Sequence, residues 1–125
     1  MIKLTIKGKP ITKKNSMRMV TNKQTGRVFP IPSKQFVEYK KLFLMQVKRP
    51  KSAIDKPVNI QAVYYMPTKH RVDITNLMSA THDLLVDAGV IADDDSKIVV
   101  SVDGTRVLYD KANPRVEIEI VEVQA

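Results

Sequence analysis

Asp73 and the run Asp93-Asp94-Asp95 are the residues of this sequence whose types and spacing could do chemistry. Hydrolysing a phosphodiester requires a water made nucleophilic and a leaving alkoxide stabilised against its negative charge. Mg²⁺ does both when two or three carboxylates hold it and leave open positions for water and a phosphate oxygen. Three successive carboxylates repel one another and are costly unless a cation neutralises them. There is no Cys and no His cluster, so Zn²⁺ is a poor fit. The chain has no glycine-rich phosphate loop, no Rossmann fingerprint and no defensible Ser-His-Asp arrangement. His70, alone between Lys69 and Arg71, reads as incidental.

Each acid also has a plain structural reading. Asp73 stands where a basic segment gives way to a helix and would serve as its N-cap. Residues 93–95 would make a solvated turn, and Asp103 would supply an Asp-Gly turn. Asp83 and Asp87 look like the solvated side of the helix, so Asp83→Asn is expected to be nearly silent.

Charge is segregated along the chain. The net charge is +8, and residues 1–72 hold 17 Lys or Arg against two acids, Glu38 and Asp55. Residues 73–125 reverse this, with four cations and 11 acids. A basic half suits a polyanion, and an acidic cluster within a basic protein suits a divalent cation. Together they describe a metal-dependent nuclease better than a simple binder. Lys13, Lys14, Asn15 and Arg18 form a polar, basic loop fit for phosphates, and Lys69, Arg71 and Lys97 bring further positive charge to the acids. The N-terminus lacks an apolar signal-peptide core and no segment reaches transmembrane length. With no Cys, the expectation is a soluble cytoplasmic protein with no membrane partner and no small-molecule cofactor.

The elements that must position these residues are legible from periodicity. Ile2, Leu4 and Ile6 alternate with polar residues, as do Val58, Ile60, Ala62 and Tyr64, and later Val116, Ile118 and Ile120; these are strands with one buried face. Thr21 to Gly26 reads as a turn between short extended pieces. Ser33 is a plausible N-cap for a helix carrying Phe36, Tyr39 and Phe43 as core residues, ending before Pro50. A second helix buries Leu77, Ala80, Thr81, Leu84, Leu85 and Ala88 and runs to about Gly89, roughly 22 Å. Residues 97–102 and 105–109 flank Asp103-Gly104, the strongest short-range hairpin signal in the chain. The order β, α, β, α, then a hairpin and a last strand predicts an α+β (mixed α/β) fold: residues 1–125 as a single domain, one mixed sheet with two main helices packed on it.

Several of these residues carry a resemblance. Arg71-Val72-Asp73-Ile74-Thr75-Asn76-Leu77, the helix end Asp87-Ala88-Gly89-Val90-Ile91 and the run Ala92-Asp93-Asp94-Asp95-Ser96-Lys97-Ile98-Val99 resemble the RusA family of Holliday junction resolvases. Lys13-Lys14-Asn15-Ser16 and Asn113-Pro114-Arg115 are similar to that family too, so the likeness spans nearly the whole chain. The resemblance implies a homodimeric endodeoxyribonuclease of phage or prophage type. It would depend on Mg²⁺, with Mn²⁺ as a substitute, and make paired nicks across a four-way DNA junction. Carried over by position, Asp73 matches the first metal-binding acid and Asn76 the amide of the motif. Counting forward from the helix places the essential loop acid at Asp94, with Asp93 its acidic neighbour; counting back from Ser96-Lys97-Ile98 places it at Asp95.

The chain departs from the family pattern twice. The best-known pattern has a second acid where this chain has Thr75, and a lysine where it has Ser79. A threonine hydroxyl is a weaker metal ligand than a carboxylate, and serine supplies no positive charge. Asp95 or Asp103 could complete the acid set, and Lys97, Arg71 or Lys14 could replace the lysine. The competing expectations are a non-catalytic junction or DNA binder, and a metal-dependent nuclease for other branched nucleic acids.

Overall fold

The computed structural model describes residues 1–13 and 17–124, with the backbone alone for Met17 and Arg18. The elements in chain order are β1 (Ile2–Lys7), β2 (Met17–Thr21), β3 (Val28–Pro32), α1 (Lys34–Gln46), β4 (Val58–Met66), α2 (Ile74–Asp87), β5 (Val99–Ser101), β6 (Arg106–Tyr109) and β7 (Arg115–Glu122). The main sheet runs β1-β7-β4, with β5 and β6 both on the far edge of β4. β7 is antiparallel to β1 and β4, whereas β5 and β6 run parallel to β4, so the sheet is mixed and the fold is α+β as predicted.

Period-2 alternation decides which face is buried. Along β4 every second residue from Val58 to Met66 is buried, and Val116, Ile118 and Ile120 of β7 continue the same layer. Phe36, Tyr39 and Phe43 of α1 and Leu77, Ala80, Leu84 and Leu85 of α2 close over it in one core. Fully burying an aromatic or branched side chain contributes about 1.5–3 kcal/mol, so these positions carry the fold. One buried polar link joins layers: the Tyr64 hydroxyl meets Thr81 Oγ1 at 2.7 Å, while Thr81 donates to the Leu77 carbonyl at 2.9 Å. Burial pushes the Tyr64 phenol well above its ordinary range.

The helix ends follow the cap residues. Ser33 accepts from the Phe36 amide at 3.2 Å to start α1. α2 closes with Val90 N–H on the Leu85 carbonyl and Gly89 N–H on that of Val86, the paired bonds of a Schellman ending. Gly89 sits at φ +74, and a Cβ there would stand 2.8 Å from the Arg49 guanidinium. An isolated bridge between Ile54 and Ile91 then holds the chain in place as it leaves the helix towards residues 93–95.

One expectation is overturned. The segments either side of Asp103-Gly104 do not pair as a hairpin: Val58 aligns with Val99 and Val63 with Arg106, so both lie along β4 in the same direction. Gly104 does take a left-handed turn, φ +88. Asn59 decides the outcome. Its Oδ1 accepts from Ser101 Oγ at 2.6 Å and from the Asp103 amide at 2.8 Å, and its Nδ2 donates to the Asp103 carbonyl. The turn is thereby held against β4 as a kink in an edge. β2 and β3 form a separate antiparallel ribbon, with the expected turn between them.

Candidate active site

α2 carries the acids at two levels. Asp73 is its N-cap, matching the plain structural reading: Oδ1 accepts from the Thr75 amide at 2.9 Å and the Asn76 amide at 3.4 Å. The Thr75 hydroxyl also donates to that oxygen, at 2.5 Å. The residue standing where the family pattern has a second acid is therefore tied to the first one. Asn76 is half-buried, with its amide N–H aimed at Asp73.

The three loop acids are not equivalent. Asp93 turns onto its own loop, accepting from the Asp94 amide at 2.7 Å, and Asp95 accepts from the Lys97 amide at 3.0 Å. Asp94 faces α2, where its negative charge acts on the Asp83 carboxyl. Burial, then the neighbouring Asp94 carboxyl, push the Asp83 carboxyl above its usual range, while Lys13 opposes the shift. Burial lowers the His82 pKa below its ordinary value, against the pull of Asp94. Its buried Nε2 has no hydrogen-bond partner among the described residues.

The solvated reading of Asp83 is thereby corrected. The residue is half-buried and feels the charge of Asp94, because the loop after Gly89 comes back towards the helix. A signal for this exists in the sequence: Asn76, Ser79, Asp83 and Asp87 form one helical stripe starting beside Asp73. Asp87 is exposed as expected, but bridges α1 through Lys40 Nζ at 3.0 Å. Asp73 and Asp83 are separated by ten residues, about 15 Å of helix rise. Among the described residues no three His, Asp or Glu side chains converge as a ready metal site. Asp103 lies at the β4 edge, held by Asn59 through its backbone.

Like charge close to Asp83 is unfavourable unless a cation neutralises it. Replacing one acid removes the conflict. Asp83→Asn should raise the melting temperature of the metal-free protein at neutral pH, a stabilisation of no more than about 1 kcal/mol after solvent screening. Calorimetry of the two proteins checks this, and an unchanged or lowered melting temperature would speak against repulsion between the two acids.

Cations gather around these acids. Lys13 shares with Asp83 and Asp87 a cleft of about 270 Å³, walled by Pro32, Phe36, Val37 and Leu84. On the side of Asp73, Lys9, His70 and Arg71 line a second cleft of about 220 Å³ with Thr12 and Gln35. Lys69 lies over the Tyr109 ring at 5.3 Å, and Lys97 is exposed. Of the other predicted phosphate contacts, Lys14 and Asn15 lie outside the described residues, as does the side chain of Arg18.

An α+β scaffold presenting carboxylates along one helix, with a basic cleft near Asp73 and lysines set among the acids at Asp83 and Asp87, has the equipment of a nuclease. The chain matches the family model described as endodeoxyribonuclease RusA over residues 7–121. It belongs to the RusA family, the endonucleases that resolve Holliday junctions. A comparison with curated proteins returns no match. No helix among the described residues is long and apolar enough to cross a membrane.

Proposed function

We propose that this protein is a Mg²⁺-dependent endonuclease that cuts four-way DNA junctions at two symmetric positions and works as a homodimer. The observation that carries the metal reading is the half-buried Asp83, which shares a cleft with Asp87 and Lys13 and lies within reach of the negative charge of Asp94. That donor set is hard, oxygen-only and anionic, which fits Mg²⁺ or Mn²⁺ and disfavours softer metals. Asp94 and Asp83 would hold the ion, with Asp93 or Asp95 assisting and Asp73 serving the strip from the other end of α2. The bound ion would lower the pKa of the attacking water and offset charge on the leaving oxygen. Asp73 meanwhile orients the first turn of α2, and Asn76 is kept beside it by its amide hydrogen bond. Lys13, Lys69, Arg71 and Lys97 would hold phosphates of the entering strand, Lys13 standing nearest the acid pair.

Two nicks at symmetric positions need two acid strips related by a two-fold axis, hence two copies of the chain. The outer face of α1 exposes Val37, Leu42 and Met45, apolar surface not consumed by the core, whereas Leu44 packs inward. Sedimentation at micromolar concentration without DNA should give twice the 14.2 kDa of the chain. A labelled synthetic junction should be cut only when Mg²⁺ is present, and a linear duplex of the same sequence left intact. Cutting that survives chelation would refute the metal assignment.

A second reading, a junction binder without catalysis, draws on Thr75, on Ser79 and on the separation of Asp73 from the Asp83–Asp94 pair. The same assay separates the two, because a binder shifts the junction and leaves it uncut.

A further inference from the structure

The β2–β3 ribbon is not used by the catalytic scheme, yet it is rooted beside the acids. Lys13, just before it, and Pro32, at its end, line the same cleft as Asp83. Its surface is unusual for a solvated arm. Met19 is 64%, Val28 58% and Phe29 40% exposed. The register pairs Val20 with Phe29 and Thr21 with Val28, so Phe29 projects from one face of the ribbon and Met19 and Val28 from the other. The turn is held by Asn22, whose Oδ1 accepts from Gln24 and whose carbonyl accepts from Gly26. Lys23 and Arg27 stand exposed at that tip.

Charge says what covers this arm. No Asp or Glu occurs anywhere in residues 1–37, while residues 13–32 hold five cations. Such an arm fits a polyanion far better than an ordinary protein surface. Strands of five residues span about 17 Å, and a two-stranded ribbon is narrow enough for a DNA groove. Apolar wedges such as Phe and Met enter between bases, at a cost of about a few kcal/mol per unstacked step. At a branch point the stack is already interrupted, so that cost is lowest there.

We propose that the β2–β3 ribbon is the branch-reading element: it enters the centre of a four-way junction, with Phe29 and Met19 against unstacked bases and Lys23 and Arg27 on the flanking phosphates. This rests on the junction-nuclease reading above and adds the source of its preference for branched over linear DNA.

The test uses the full chain and a junction carrying 2-aminopurine at the exchange point. The wild type should raise the probe's fluorescence on binding. Phe29→Ala combined with Met19→Ala should lose that rise, and its preference for junction over linear duplex should fall about ten-fold, the effect of losing base stacking. Lys23→Ala with Arg27→Ala should instead reduce the salt slope by about two while keeping the fluorescence rise. All four positions are exposed, and circular dichroism checks that the variants fold. If the wild type prefers junctions and the Phe29–Met19 variant matches it in fluorescence and preference, the ribbon proposal alone is overturned. If the wild type shows no preference for junctions, the nuclease reading falls with it. If the variant sediments as a monomer where the wild type is a dimer, the apolar side chains serve a second copy of the chain and the proposal is wrong.

Discussion

Asp94→Asn should abolish junction cleavage, by at least about a hundred-fold, and leave junction binding intact or tighter. The amide keeps the size of the carboxylate but removes the charge that a divalent cation would need. Binding should not suffer, because less negative charge then faces the phosphates. Asp93→Asn and Asp95→Asn should cost much less, since both side chains bond their own loop backbone. Single-turnover cleavage of a labelled junction with mobility shifts on the same substrate reads both quantities. Equal rates for Asp94→Asn and wild type would remove Asp94 from the site.

Asp73 caps α2 and is proposed to serve the reaction, and one substitution can separate the two. Serine is nearly as good an N-cap as aspartate, whereas alanine costs about 1 kcal/mol of helix stability. Asp73→Ser should therefore melt close to wild type, and Asp73→Ala a few degrees lower. If the carboxylate serves the reaction, both variants should lose cleavage by about a hundred-fold regardless of stability. If Asp73→Ser cuts at the wild-type rate, Asp73 is a cap and nothing more. The 2.5 Å contact from Thr75 makes the Asp73→Ser variant informative, because the substitution leaves that hydroxyl without its charged acceptor.

The scaffold is readable because its signals are local. Alternation along Val58 to Tyr64, the cap at Ser33 and the left-handed Gly89 each depend on neighbours within a few residues, and each appears as expected. Asp103-Gly104 marks the limit of that logic. The dipeptide does report a turn, with Gly104 at positive φ, but says nothing about which strand lies beside it; Asn59, 44 residues away, sets that. Asp83 escapes a local reading for the same kind of reason. On its helix alone it belongs to the polar stripe, and only the fold-back after Gly89 brings the charge of Asp94 near it. The choice among Asp93, Asp94 and Asp95 is likewise open in sequence, and the hydrogen bonds of the loop favour Asp94. Those bonds involve backbone amides that no spacing rule assigns.

Paired cutting by a metal-dependent site is the central claim, and a supercoiled plasmid carrying an extruded cruciform tests it most directly. A single nick releases the supercoiling and reabsorbs the cruciform, leaving a nicked circle, whereas two nicks within one complex give a linear molecule. With Mg²⁺ the wild-type protein should yield linear plasmid as the first product, and Asp94→Asn should yield none. Nicked circles as the main product, or linear plasmid formed in the presence of a chelator, would contradict it.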